Sequence, residues 1–167
     1  MSLDNIQLSP FLVQNLYTKS LVELKTVQVA SAAKTTNPIP FLGQNAKNIL
    51  LLVNEKETPF ATDDDLALLV SILSACKLSL ADVALVNCNK NETLTYEDLI
   101  ENFNPGFVIL FGVTPKELFF PLHFPHYQLQ QYNNQTFLCA PPLKMLATVI
   151  AEKKLLWNAL QKHFFNN

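Results

Sequence analysis

ILLLVN, residues 49–54, and FVILFG, residues 107–112, decide the fold of this chain. Each is a run of five apolar residues closed by an asparagine or a glycine. Such a run has the length of a strand and no polar face. It suits a strand buried on both sides in the middle of a parallel sheet. Working outward, residues 54–61 form a loop that ends at Thr62. Thr62 precedes DDDLALLVSILSACK, residues 63–77, which has helical periodicity. Three aspartates in a first helical turn suit the positive end of the macrodipole. Leu66, Leu69, Val70, Leu73 and Cys76 form the expected buried face. Consecutive aspartates on a helix diverge, and no other acid cluster lies near in sequence, so no metal site is expected there.

A second strand is expected over residues 83–86 and a short helix over residues 94–103, capped by Thr95. After Gly112, TPKE at residues 114–117 spells a capping box with proline at the first helical position. HYQLQQYNNQTFLCA, residues 126–140, alternates about Asn133 and Asn134 and predicts a β-hairpin with a tight turn. The last helix is expected over residues 150–164. Ile150, Trp157, Leu160 and Phe164 should face inward, and Glu152, Lys153, Asn158, Gln161 and Lys162 should face water. Strands alternate with helices. The prediction is an α/β domain, three-layer αβα with a mostly parallel central sheet, plus a β-hairpin before the last helix.

The 167 residues make one domain and a short arm. With 49% hydrophobic and 16% charged residues, disorder is excluded for the bulk of the chain. No apolar run approaches the roughly 20 residues needed to cross a bilayer. The opening MSLDNIQLSP lacks the basic and apolar regions of a signal peptide. Cys76, Cys88 and Cys139 are odd in number, sit in apolar stretches and have no zinc-type spacing. They read as reduced thiols of a cytoplasmic protein. Net charge is −2, and all twelve basic residues are lysine. Bidentate phosphate and guanine contacts normally use arginine, so direct nucleic-acid binding is expected to be weak or absent.

Residues 1–27 read as an arm with one helix. Ser9 is the expected N-cap, Pro10 fits the first position, and Val13, Leu16, Tyr17, Ser20 and Leu24 recur at helical spacing, with Leu12 and Leu21 widening the stripe. Residues 28–40, small, polar and proline-punctuated, read as a linker. The α/β domain follows, residues 41–167.

The chemistry-bearing motifs are few. Gly43, Gly106 and Gly112 are the only glycines, so there is no glycine-rich phosphate loop, and no G-x-S-x-G elbow occurs. His123 and His126 are separated by a proline and have no third ligand in reach, which argues against a metal. His163 near a helix C-terminus should favour a positive imidazole. No cofactor is implied. In open α/β sheets, ligands bind beyond the carboxyl ends of the strands. The loops there are residues 54–60, 87–92, 112–116 and 140–144. Glu55 and Glu57 are candidate general bases; without an acid partner they read as solvated loop carboxylates. The aromatic run ELFFPLHFPHY, residues 117–127, suits an interface if exposed, and is expected instead to pack as a core edge under the sheet.

The order of ILLLVN, FVILFGVTPKELF and QTFLCAPPLKMLATVIAEKKLLWNAL resembles the uracil-DNA glycosylase-like fold. In active glycosylases the loop after the first strand is glycine-rich and carries a water-activating acid; here it is NEKETPF. Their late loop has a histidine before its proline; here Ala140 precedes Pro141. Alanine cannot donate a hydrogen bond to a departing anionic base. The resemblance therefore implies a scaffold without the enzyme's machinery, with a vestigial pocket at Asn54, Glu55, Phe60, Gly112, Ala140, Pro141 and Lys144.

A non-enzymatic family on this fold is more similar: the psi subunit of bacterial DNA polymerase III, a clamp-loader accessory. LLLVNEKETPFATDDDLALLVSILSACKLSLADVALVN and CAPPLKMLATVIAEKKLLWNALQKHFF carry that likeness. It implies a protein partner among the clamp-loader subunits, reached through an N-terminal arm. Phe11, Leu12, Leu16 and Tyr17 are the expected contact residues. Two alternatives stand beside it. One is a degenerate domain whose pocket binds a base, nucleotide or single-stranded nucleic acid, with Phe60 stacking on the base. The other is an unrelated interaction domain or homodimer.

Overall fold

The computed structural model of the chain describes residues 38–91, 93–120 and 123–165. The expected arm, residues 1–27, and its contact residues Phe11, Leu12, Leu16 and Tyr17 lie outside them, as does most of the expected linker. Six strands and four α-helices are found among the described residues. The strands are β1 (Leu42–Gly43), β2 (Ile49–Val53), β3 (Val83–Asn87), β4 (Phe107–Phe111), β5 (Leu129–Tyr132) and β6 (Gln135–Ala140). The helices are α1 (Asp63–Ala75), α2 (Tyr96–Phe103), α3 (Leu143–Thr148) and α4 (Ile150–Phe164).

The strands form one mixed sheet in the order β1-β3-β2-β4-β6-β5. The central four run parallel, and β1 and β5 pair antiparallel at the two edges. All five residues of each of β2, β3 and β4 are buried. Side chains alternate across the sheet, and two cores result. Ile49, Leu51, Val53, Ile109 and Phe111 pack with Leu69 and Leu73 of α1, Leu143 and Leu146 of α3, and Leu156 and Leu160 of α4. Leu50, Leu52, Val108 and Leu110 pack on the other face with Leu99 and Phe103 of α2 and with Leu118, Phe120 and Phe124.

Local signals set most element ends. Thr62 caps α1 by accepting from the Asp65 N–H. Thr95 and Asp98 form a reciprocal capping box on α2. Asn133 and Asn134 both have positive φ, 49° and 61°, which gives the hairpin a turn twisted to match its strands.

Several expectations are corrected. TPKE opens a four-residue 3-10 turn, Pro115–Leu118, not an α-helix. The Thr114 hydroxyl bonds the Glu117 carboxylate and leaves the backbone uncapped. Val70 of α1 is 42% exposed and Ile150 of α4 is 81% exposed, because the buried arc of each helix is centred elsewhere: on Leu69 and Leu73, and on Leu156, Ala159 and Leu160. Glu152 is half-buried and accepts a hydrogen bond from the Tyr127 hydroxyl. Ile39 packs on the core of the α2 face, so the domain begins before residue 41. The aromatic run divides: Phe120 and Phe124 are core, and Phe119 is 74% exposed. The His163 ring stacks on Phe107 at 3.9 Å, and burial lowers its pKa. The neutral imidazole is favoured there, contrary to the helix-end argument.

Candidate functional site

The carboxyl ends of β2, β4 and β6 open on a cleft of about 230 Å³. Its lining brings together Asn54, Glu55 and Phe60 from the loop after β2, Asp65 from α1, Phe111 from β4, and Lys144 from α3. Four of the seven pocket residues expected from the sequence thus meet here. The other three sit behind the lining. Ala140 is the last residue of β6, 1% exposed, and Pro141 is buried. Gly112 leaves β4 with φ +66° and donates its N–H to the Ala140 carbonyl at 2.9 Å. A Cβ on Gly112 would stand 2.6 Å from the Pro142 ring, so only glycine lets the β4 and β6 exits pass this closely.

The loop 54–60 is held by two buried polar side chains. Asn87 ends β3 and is 1% exposed. Its Oδ1 accepts from the Glu55 and Asn89 N–H groups at 3.0 and 3.1 Å. Its Nδ2 donates to the carbonyls of Glu55, Thr58 and Pro59 at 2.8, 3.2 and 3.1 Å. Both ends of one amide thereby replace the strand partners that the loop lacks. Glu55 is 8% exposed. Its Oε1 accepts from the Lys56 and Glu57 N–H groups at 3.0 and 3.3 Å, and Lys144 Nζ lies 3.1 Å from Oε2.

Glu55 is therefore not the solvated carboxylate expected from the sequence. Its hydrogen bond from Lys144, aided by the two backbone N–H groups, holds its pKa below the usual carboxylate value against the opposing effect of burial. The Glu55 hydrogen bond in turn raises the Lys144 ammonium. A carboxylate so held is a weak base near neutral pH.

A second cleft, about 240 Å³, lies beside the first and shares Asn54. Asn89 Nδ2 donates to Asn54 Oδ1 at 2.9 Å, and Asn54 Nδ2 reaches Glu117 at 3.4 Å. Cys88 lines this cleft. Burial, reinforced by the Glu117 charge, pushes its thiol up to about 12, which leaves it protonated and a poor nucleophile. Burial raises Cys139 to about 11. His123 and His126 are exposed, and no group of three His, Cys, Asp or Glu side chains is placed to hold a metal among the described residues. Nor is any described helix long and apolar enough to cross a membrane.

Sequence reasoning missed Asn87 and Asp65. The signal for Asn87 was present: it is the one polar residue closing the buried strand VALVN. Asp65 gave none, since its two neighbours Asp63 and Asp64 are exposed and it alone is turned inward.

With this geometry in hand, comparison with known proteins adds no family: no protein-family model and no curated protein matches the chain.

Proposed function

We propose that this chain is a non-catalytic accessory of DNA replication, resembling the psi subunit of bacterial DNA polymerase III. The fold would be uracil-DNA glycosylase-like, with its parallel central strands as the common element. The arm, residues 1–27, buries Phe11, Leu12, Leu16 and Tyr17 in a groove of a clamp-loader subunit. The linker holds the α/β domain near the replisome, in the cytoplasm. The observation that carries this reading is the state of Glu55. It follows the first long strand, where the resemblance places a water-activating acid, and it is committed to Lys144 and to two backbone N–H groups. The alanine at residue 140 supports the same reading, because it has no hydrogen bond to give a leaving group.

The test is affinity capture of the full chain from its native lysate. Clamp-loader or polymerase subunits should accompany it and be lost on deleting residues 1–27. Recovery of the chain alone, with those subunits detectable in the lysate, overturns the reading. Leu16→Asp should abolish capture and leave the thermal transition of the domain in place. If that variant aggregates or loses its transition, the arm belongs to the core and the mechanism fails.

A second reading draws on the half-buried Phe60 at the cleft wall, which offers a ring face for a base. On it, the domain binds a nucleotide or single-stranded nucleic acid. Titration with labelled single-stranded DNA at two salt concentrations decides it: no binding at low salt removes it.

A further inference from the structure

The cleft contains a carboxylate with no hydrogen-bond partner among the described residues. Asp65 is 5% exposed and lines the cleft. Its backbone N–H caps onto Thr62 at 3.3 Å, but its carboxylate makes no hydrogen bond or ion pair within the described residues. Its carboxylate oxygens are not among the buried unpartnered atoms, so the little exposure it has lies at the cleft, where a cationic donor can reach it. Lys144 acts on it electrostatically, but Lys144 is committed to Glu55 at 3.1 Å. The lining holds Glu55, Glu57 and Asp65 against Lys56 and Lys144, so one negative charge is left over. Asp63 and Asp64 are exposed on the same helical turn and add negative charge to it.

We infer that this cleft takes a guanidinium group, the arginine side chain of a partner polypeptide. The inference does not rest on the replication reading. Three observations select the ligand. The volume, about 230 Å³, is below the roughly 300–1,000 Å³ of a small-molecule pocket and suits one side chain. The walls are apolar and partly aromatic: Val53, Phe60, Phe111 and Leu143. A guanidinium is flat and weakly hydrated, stacks on aromatic faces, and pairs with a carboxylate through two parallel hydrogen bonds. An ammonium is strongly hydrated and does neither as well. A metal ion is disfavoured because no three ligating side chains converge among the described residues. The chain has no arginine, so a second copy cannot supply the group.

The test is an amide-resolved NMR titration of the full chain with N-acetyl-arginine amide, whose guanidinium is its only charge. Saturable shifts are expected at Phe60, Ala61 and Asp65. Binding should weaken about tenfold in Asp65→Asn, the loss of one charged hydrogen-bonded pair, and should weaken also in Phe60→Leu. N-acetyl-citrulline amide, the neutral isostere, should give no saturable shifts. The inference is overturned by an absence of saturation, by equal shifts from the citrulline compound, or by equal or tighter binding of N-acetyl-lysine amide. If Asp65→Asn loses its dispersed spectrum, Phe60→Leu decides: unchanged affinity there overturns the inference.

Discussion

Two loops leave neighbouring parallel strands at the same end of the sheet, and different forces hold them. The loop after β2, residues 54–61, is held by directional polar bonds. Asn87 supplies four of them and Glu55 binds the turn and Lys144. The segment after β4, over residues 112–120 and 123–128, is held by rings. Phe120 lies 4.1 Å from Tyr96 and 5.2 Å from Phe137, and Phe124 stacks on Phe137 at 5.3 Å. Aromatic burial is spread over many atoms and is indifferent to pH. A polar latch concentrates its effect in a few groups, each costly to orphan. The first loop borders the cleft and should open locally; the second should open only with the domain.

Truncation of the ring cluster should have the largest effect. Phe120→Ala removes a 6% exposed ring from the core and should lower stability by about 3–5 kcal/mol. Urea unfolding measures it. A loss below about 1 kcal/mol would show that the second segment is not anchored by its rings. Next comes the latch. Asn87→Ala strands one N–H and three carbonyls of the first loop and should cost about 2–3 kcal/mol. Amide exchange at Glu55 should accelerate while exchange in β4 and β6 follows only the global loss. Equal acceleration everywhere would erase the contrast between the two loops.

Thr95→Ala sharpens the comparison from the ring side. It removes the capping box of α2, whose first residue, Tyr96, supports Phe120, and should cost about 1 kcal/mol. Near-ultraviolet dichroism should barely change, since the rings stay packed. A collapsed aromatic signal would mean that the cap, not the rings, orders the segment.

The smallest effect is the pH dependence of the latch. The Glu55 pKa is lowered from 4.5 in the folded chain. Its contribution is therefore complete above 4.5 and is lost as pH falls from there through the lower folded value. The Lys144 side chain is 58% exposed, so water screens the pair and the contribution is modest. Protection of the Lys56 and Glu57 amides, relative to their intrinsic exchange at each pH, should fall in that acid window in the native chain and lose its pH step in Glu55→Gln. A step of equal size in the variant would assign it to another carboxylate.

The strands ILLLV and FVILF, the hairpin turn at Asn133 and Asn134, the Thr95 cap and the bounds of the last helix were all legible in the chain. Each rests on contacts within a few residues or on an unbroken apolar run. The candidate cleft was legible as an address, the loops beyond the strand ends, and Asn54, Glu55, Phe60 and Lys144 do line it. Its chemistry was not legible. Glu55 and Lys144 are 89 residues apart in sequence, and Asn87 reaches back 32 residues or fewer to pin the loop. No local pattern encodes such pairs. The inward faces of α1 and α4 were misjudged at Val70 and Ile150 for the same reason: periodicity marks an apolar stripe, and the neighbouring layer decides which part of it is covered.

The sequence by itself determined an α/β chain with strands too apolar to face water, a two-asparagine hairpin, and a sparse charge set whose basic residues are all lysine. Those properties follow from residue type and short-range spacing. Tertiary structure alone decided that the short strand β1 pairs antiparallel at the far edge of the sheet, that Glu55 is a latch rather than a free acid, and that Asp65 enters the cleft without a hydrogen-bond partner among the described residues. These follow from long-range juxtaposition, where burial strengthens every charge and makes each missing partner count.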